Sequence, residues 1–372
     1  MKKKLAIVGA SFGQKSLYLK AKEMGIETHC FAWDKKDAVC KELADYFYPV
    51  SVFEKEQILE ICKKIQIDGI CSIASDICVP SVWFVAEKMG LIGNKYVEPF
   101  VATNKFLMRQ AFLKNGVNSP RFTIGDDKMD LSEFEFPLIV KPADRGGSIG
   151  VMKIEKREEL KAAIERAQKV SYNNSAIVEE FVPGTESTLD MISWQGKHYP
   201  ITISDTETTG APYFSKIGYH EPSRLSPDIQ DKIIQVAKNA LNALNIKNGA
   251  SDTEVKITDS GEIKVIEVNP RMGGDCTDTL VKLSTGYDFP KGVIDVALNQ
   301  FEEPVFPINK FSGICYLSKE TEYLKKIIEN RENYPDIVQA EITDEELHFL
   351  QSSWERSGFL IYQSEKKRNW KP

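Results

Sequence analysis

The chain has 372 residues, a formal net charge of −6, 42% hydrophobic residues and 27% charged residues. This is an ordinary balance for a folded chain of two or three domains. The acidic surplus excludes the basic footprint of a typical nucleic-acid binder, and no run approaches the roughly 20 apolar residues of a membrane span, so neither nucleic acid nor membrane is an expected partner.

Leu5–Gly9 is a short apolar run behind Lys2–Lys4. It is too short for the core of a signal peptide and reads as a first strand. Gln14–Met24 has helical spacing and Ile26–Phe31 is strand-like. A helix around residues 38–44, a strand at 46–50, a helix at 55–65, a strand at 69–73 and a helix at 79–89 follow. Strands separated by helices imply a parallel sheet. Gly9 and Gly13, with Asp34 about twenty residues on, half-resemble a dinucleotide fingerprint, but the pattern is one glycine short. The seven cysteines are scattered without CxxC, and none of the four histidines pairs with one at zinc spacing. That suits a reducing, cytoplasmic setting.

Lys105–Lys114 reads as a helix stopped by Asn115-Gly116. Strand 136–141, the glycine-rich PADRGGSIG, strand 151–154, helix 156–169 and strand 176–181 form a small α+β unit. The glycine-rich stretch lacks GK[ST] and joins strand to strand, so it is no Walker A loop. Its backbone N–H groups can wrap phosphate oxygens, or it is a plain flexible hairpin tip. IVEEFVPGTES follows, with a Pro183-Gly184 turn between an apolar strand and Glu186. Its main chain can meet an adenine edge and Glu186 can accept from ribose hydroxyls. Strands at 189–192 and 198–203 precede a long polar loop at 205–224 and an amphipathic helix at 227–244.

Residues 251–269 read as a hairpin around Ser260-Gly261. A two-residue loop sets Asp252 opposite Asn269 and Glu254 opposite Glu267. Opposed carboxylates repel; the remedies are solvent on that face or a cation. Hard oxygen ligands suit Mg²⁺. Helices at 280–284 and 288–298, a strand at 313–317, two charged helices, a strand at 359–362 and a frayed tail complete the chain.

The ordered set Lys105, Lys141-Pro, DRGGSIGV, Glu179-Glu180-Phe-Val182-Pro-Gly-x-Glu186, Glu254 and Glu267-Val-Asn269-Pro-Arg271 resembles the ATP-grasp superfamily. IEVNPRMGG followed by LVKLSTGYD is similar to its carboxylate–amine branch, which holds amino-acid ligases and carbamoyl-phosphate-synthase-like proteins. The resemblance implies an α/β and α+β chain: a Rossmann-like parallel-sheet domain at 1–103, an ATP-grasp domain at 104–300 with a lid at about 121–183, and the rest of the large lobe at 301–372. It implies ATP and two Mg²⁺ ions, with Mn²⁺ as a substitute. Lys105 and Lys141 then contact phosphates, and a loop with Gly146, Gly147 and Ser148 closes over them. Glu179 meets adenine with the backbone of Glu180 and Val182, and Glu186 holds ribose. Glu254, Glu267 and Asn269 hold metal. Arg271 faces the transferring phosphoryl group or the carboxylate substrate.

Two departures stand out: Asp252 where many relatives have His, and Lys256 where an apolar residue often underlies adenine. Biotin carboxylases carry Gln-Val-Glu-His after the motif arginine; Met272–Cys276 here argues against bicarbonate chemistry. The expected reaction joins a small-molecule carboxylate to an amine through an acyl phosphate. Alternatives are transfer to a carrier-protein thiol and a regulatory nucleotide-binding module without turnover. Substrate candidates are Asp76, Tyr213, Phe214, His220, Gly273 and Gly274. His220 either handles the amine's proton or is a loop histidine without a role. The resemblance also allows a homodimer.

Overall fold

The computed structural model describes every residue except 1, 99, 127, 128 and 372. Strands β1 (Lys4–Val8), β2 (Glu27–Phe31), β3 (Tyr46–Tyr48) and β4 (Gly69–Cys71) form a parallel sheet of order β3-β2-β1-β4. Helix α1 (Lys15–Glu23) joins β1 to β2, α2 (Lys55–Ile65) joins β3 to β4 and α3 (Val79–Met89) follows β4; between β2 and β3 a 3-10 helix (Val39–Leu43) stands where a helix was expected at 38–44. The unbroken Leu5–Val8 run is fully buried because both sheet faces are covered. α2 buries its Ile58, Leu59 and Cys62 stripe, and α3 ends at Gly90, whose φ of 65° needs a residue without Cβ. The turn after β4 reaches the rest of the molecule: the Ala74 N–H donates to the Met272 carbonyl at 3.0 Å. Asp76 follows at once, at the carboxyl end of a strand, where ligands of parallel sheets collect.

Helix α4 (Lys105–Lys114) is capped by the Asn104 side chain, which accepts from the Leu107 N–H at 3.1 Å. Strands β5 (Phe122–Ile124), β6 (Leu138–Pro142), β7 (Met152–Ile154) and β8 (Ala176–Glu180) form a separate antiparallel sheet of order β5-β8-β6-β7. Helix α5 (Leu160–Val170) lays Leu160, Ala163, Ile164 and Ala167 on Leu138, Val140 and Val178 of that sheet.

The largest sheet has eight antiparallel strands: β9 (Thr185–Trp194), β10 (Lys197–Thr208), β11 (Lys216–Glu221), β12 (Gly249–Ile257), β13 (Ile263–Asn269), β14 (Phe311–Leu317), β15 (Ile337–Ile342) and β16 (Gly358–Ser364). Their order is β13-β12-β9-β10-β11-β14-β16-β15. Helix α6 (Pro227–Ala243) covers one face with Ile233, Ala237, Ala240 and Leu241, packed on Leu189, Met191, Val255 and Val265. Helices α7 (Thr277–Thr285) and α8 (Phe289–Ala297) cover part of the other, and α9 (Tyr323–Glu329) packs near the far edge. The uncovered part of that second face lies toward α4, the small sheet and the Asp76 turn.

Three further expectations change. Residues 205–224 are mostly the β10–β11 hairpin, not a polar loop. Its polar residues alternate onto the open face, so the strand carries no apolar period. Of the two charged helices near the end only α9 forms; the second stretch contains β15. The tail is packed: Trp370 meets Tyr334 and Tyr362 edge-on. No helix among the described residues is long and apolar enough to cross a membrane.

Candidate active site

The open sheet face is polar because every second residue is. On β9 these are Glu186, Thr188 and Asp190; on β10 Thr202, Ser204 and Thr206; on β12 Asp252, Glu254 and Lys256. Glu254 faces Glu267 and Asp252 faces Asn269, as the two-residue loop implied. The route differs. The loop has three residues, since the Thr258 N–H bonds the Glu262 carbonyl at 3.0 Å, and a bulge that leaves Ile266 of β13 unpaired opposite the Glu254–Val255 step restores the facing.

Lysines have come to these carboxylates. Lys105 Nζ, at the start of α4, lies 2.6 Å from Glu267 Oε1 and donates to the Arg145 carbonyl at 2.7 Å. Lys216 Nζ on β11 sits 3.3 Å from Glu254 Oε2 and also pairs with Glu186. Lys256 Nζ reaches the other Glu186 oxygen at 2.9 Å. Burial alone would raise the Glu186 carboxyl; Lys216 and Lys256 outweigh it and hold it at about 2. Lys256 therefore leans on the ribose candidate, in place of the apolar residue expected there.

Lys141 and Glu179 form a second, deeper pair at 2.7 Å, and Arg109 Nε lies 2.9 Å from the other Glu179 oxygen. Arg109 is fully enclosed and Glu179 is 2% exposed. Burial pushes the Glu179 carboxyl up, but the two cations win and hold it below its ordinary range. Burial wins for Lys141, whose ammonium is pulled down. The Glu179 carboxylate thus pairs with two cations, one at each oxygen, beside the main chain expected to meet adenine. Glu180 pairs with Lys264 at 2.6 Å, and Val182 is buried beside it in sequence.

Arg271 lies at the meeting of three elements. Its Nε lies 2.8 Å from Asp76 Oδ1, its Nη2 donates to Asp76 Oδ2 at 3.1 Å, and its Nη1 donates to Asp252 Oδ2 at 2.8 Å. Asn269 Nδ2 donates to Asp252 Oδ1 at 2.6 Å, which leaves the Asn269 carbonyl oxygen for a metal. Burial raises Asp252 to about 6, with Arg271 opposing. Gly273 is tight against Asp252: a Cβ there would lie 3.2 Å from Oδ2, and one at Gly274 would lie 3.5 Å from the Ala74 Cβ. Asp76 is thus in the site, but its carboxylate is occupied by arginine.

The glycine-rich loop arches over the same region. Gly147 and Ser148 adopt φ of 64° and 58°, the left-handed turn that lets successive N–H groups converge. A Cβ at Gly146 would lie 3.2 Å from Asp76 Oδ2. Ser148 Oγ donates to the Phe214 carbonyl at 3.2 Å instead of standing free. The loop rests on a distant segment: the Ser353 N–H donates to the Gly147 carbonyl at 3.0 Å.

Strand alternation decides the remaining candidates. His220 does not join the site. It points to the opposite face, with Nδ1 2.9 Å from the Tyr362 hydroxyl and Nε2 3.4 Å from Glu207, while its neighbours Tyr219 and Glu221 face the open side. Tyr213 packs under Arg166 of α5. Phe214 stacks on Phe181 at 5.8 Å, beside the segment expected to meet adenine rather than the substrate end. Three residues were missed. Lys216 lay in the stretch read as a loop. Asp190 sits within an otherwise core-like strand. Arg356 donates to Asp275 at 2.6 Å and to the Lys216 carbonyl at 2.9 Å, and no motif announces it.

Among the described residues, no three histidine, cysteine or acidic side chains are grouped to hold a metal unaided. Two carboxylates and an amide oxygen are a hard donor set that suits a Mg²⁺ ion completed by substrate phosphates.

Residues 134–279 match the model of the ATP-grasp domain. The alanine–anticapsin ligase of Bacillus subtilis (strain 168) is 29% identical over 313 residues, covering 73% of this chain and 65% of that protein. The chain thus spans just under two thirds of this relative's length. The solved L-amino acid ligase from Bacillus licheniformis superposes with a TM-score of 0.79 at 22% identity, over 98% of this chain and 94% of that one. The biotin carboxylase domain of a Hydrogenobacter thermophilus 2-oxoglutarate carboxylase, solved with magnesium ADP and bicarbonate, superposes at 0.73 with 16% identity, over 98% and 87%.

Proposed function

We propose that this chain, which has the ATP-grasp fold and carries an ATP-grasp domain, is an ATP-dependent carboxylate–amine ligase. The observation that carries this reading is the pairing of Glu186, Glu254 and Glu267 with lysines from three elements, α4, β11 and β12. Such a set neutralises itself without nucleotide. With nucleotide it offers carboxylates to metal and ribose, and lysines to phosphates. The named relatives, ligases of alanine and of L-amino acids, favour an amino acid among the substrates.

In this reading ATP phosphorylates a carboxylate, an amine attacks the acyl phosphate, and an amide, ADP and phosphate leave. Lys105 and Lys141 take phosphates beneath the loop of Gly146, Gly147 and Ser148. The main chain of Glu180 and Val182 meets adenine, and Glu186 accepts from ribose. Glu254, Glu267 and the Asn269 carbonyl would hold two Mg²⁺ ions, or Mn²⁺ in their place, which supply charge neutralisation at the transferring phosphoryl group. Arg271 directs its remaining N–H groups at the reacting end. The small sheet and α5 shield the labile acyl phosphate from water. Catalysis is positioning and charge neutralisation, with no side-chain nucleophile.

The same reading divides the chain at about residues 103 and 300, treats 121–183 as lid, and places the enzyme in the cytoplasm, as a homodimer acting on small molecules. The test is incubation with ATP, Mg²⁺ and a panel of amino acids, with ADP, phosphate and, after hydroxylamine, hydroxamate measured. ADP and hydroxamate support the reading; AMP in place of ADP rejects it.

A further inference from the structure

We infer that Asp190, Thr202 and Asp252 form the acceptor for the ammonium group of the carboxylate substrate, and so select α-amino acids over plain acids. The assignment rests on the ligase reading above. Asp190 pairs directly with Asp252 across β9 and β12, and with Thr202 across β9 and β10. All three therefore face the side that carries Glu254. Asp190 is 3% exposed and Thr202 7%, yet Asp190 Oδ1 and Thr202 Oγ1 are enclosed without any hydrogen-bond partner. Orphaned buried oxygens are rare in folded proteins, and two on neighbouring strands indicate a missing donor.

The surroundings supply none. Arg271 pairs with Asp76 and Asp252 and forms no ion pair with Asp190. Glu221, the next acid on this floor, is satisfied by Ser204 at 2.9 Å and Ser284 at 2.7 Å. No ion pair to Asp190 forms among the described residues. An ammonium group brings three donors and no acceptor. Asp190 Oδ1, Thr202 Oγ1 and a spare lone pair of Asp252 are three acceptors. Asp252 also touches Arg271, so one α-carbon can present its carboxylate to the guanidinium and its ammonium to this pocket. Gly273 brings its backbone close to this pocket: a Cβ there would lie 3.2 Å from Asp252 Oδ2. Burial first, then Asp252 and Glu221, push the unpaired Asp190 carboxyl well above its usual range, with Arg271 opposing.

The test compares Asp190→Asn and Thr202→Val with the unmodified protein. Hydroxamate formation is followed across the twenty proteinogenic L-amino acids and, for the best of them, its des-amino acid. For Asp190→Asn the KM of the amino acid rises about tenfold or more, as for loss of a charge-assisted hydrogen bond. Thr202→Val shows a smaller rise in the same direction. The KM values for the des-amino acid and for ATP stay within about twofold. ATP-induced thermal stabilisation, retained in both variants, shows that they are folded. Equal changes for amino and des-amino acids, or none, overturn the pocket, which then holds water only, while hydroxamate formation still supports the ligase reading. Hydroxamate from des-amino acids alone also overturns the pocket. Hydroxamate from no acid overturns both.

Discussion

Glu254 on β12 lies directly opposite Glu267 on β13, and each has drawn a lysine from a different part of the chain. Lys216 and Lys105 stand where cations must stand if two facing carboxylates are to share a sheet. Glu267→Gln removes one metal ligand and frees Lys105. ADP formation at saturating Mg²⁺ is expected to fall about 100-fold or more. A Mg²⁺ titration of the variant checks this, and an unchanged metal dependence would place the metal elsewhere.

Glu179 holds Arg109 and Lys141 in a deeply buried cluster. Glu179→Gln leaves two buried cations without their anion, and the expected loss is about 3–5 kcal/mol of folding stability. Urea denaturation measures it. Adding Arg109→Met should recover part of the loss, because one orphaned charge goes with it; a double variant no more stable than the single one would show that Arg109 is not bound through Glu179.

Glu221 is raised by burial from 4.5 to about 7, with Ser284 and Ser204 opposing. Its folded form therefore holds a proton that the unfolded chain releases above about pH 4.5. The stabilisation is complete below that pH and is lost as pH rises through about 7, amounting to about 3 kcal/mol. Glu221→Gln should flatten this part of the stability profile. Melting curves between pH 4.5 and 8 for both proteins give the comparison, and parallel profiles would disprove the assignment.

His220 lies behind the sheet, away from Arg271 and the lysines. His220→Gln is expected to leave kcat/KM within about twofold, because it touches none of the site groups. The lost contact with Tyr362 should cost about 1 kcal/mol of stability. A pH–rate profile that changed shape in this variant would return the histidine to the chemistry.

Much of this molecule could be read from residue spacing. The amphipathic stripe of α2 and the end of α3 at Gly90 have the predicted limits, since both are local properties. The facing of Glu254 and Glu267 was also legible, although a longer loop and a bulge offset each other to produce it. The missed parts depend on distance. Lys216 and Asp190 gain meaning only when β9, β10, β11 and β12 lie side by side. The ion pair of Glu179 with Arg109 was hidden because Arg109, seventy residues earlier, gives no sign of its destination. His220 was left between a role with the amine's proton and none because its stretch was taken for a loop; in a strand, parity turns it to the face opposite Glu254.

The contact of Arg356 with Asp275 and the Lys216 carbonyl has a consequence for how the protein is made. Every motif of the nucleotide site has been translated once residue 271 leaves the ribosome. The guanidinium that braces Lys216, and Ser353 that supports the glycine-rich loop, arrive more than eighty residues later. A nascent chain therefore carries the complete signature of the site before it carries the supports that hold it in shape. Competence is deferred until those supports have been made.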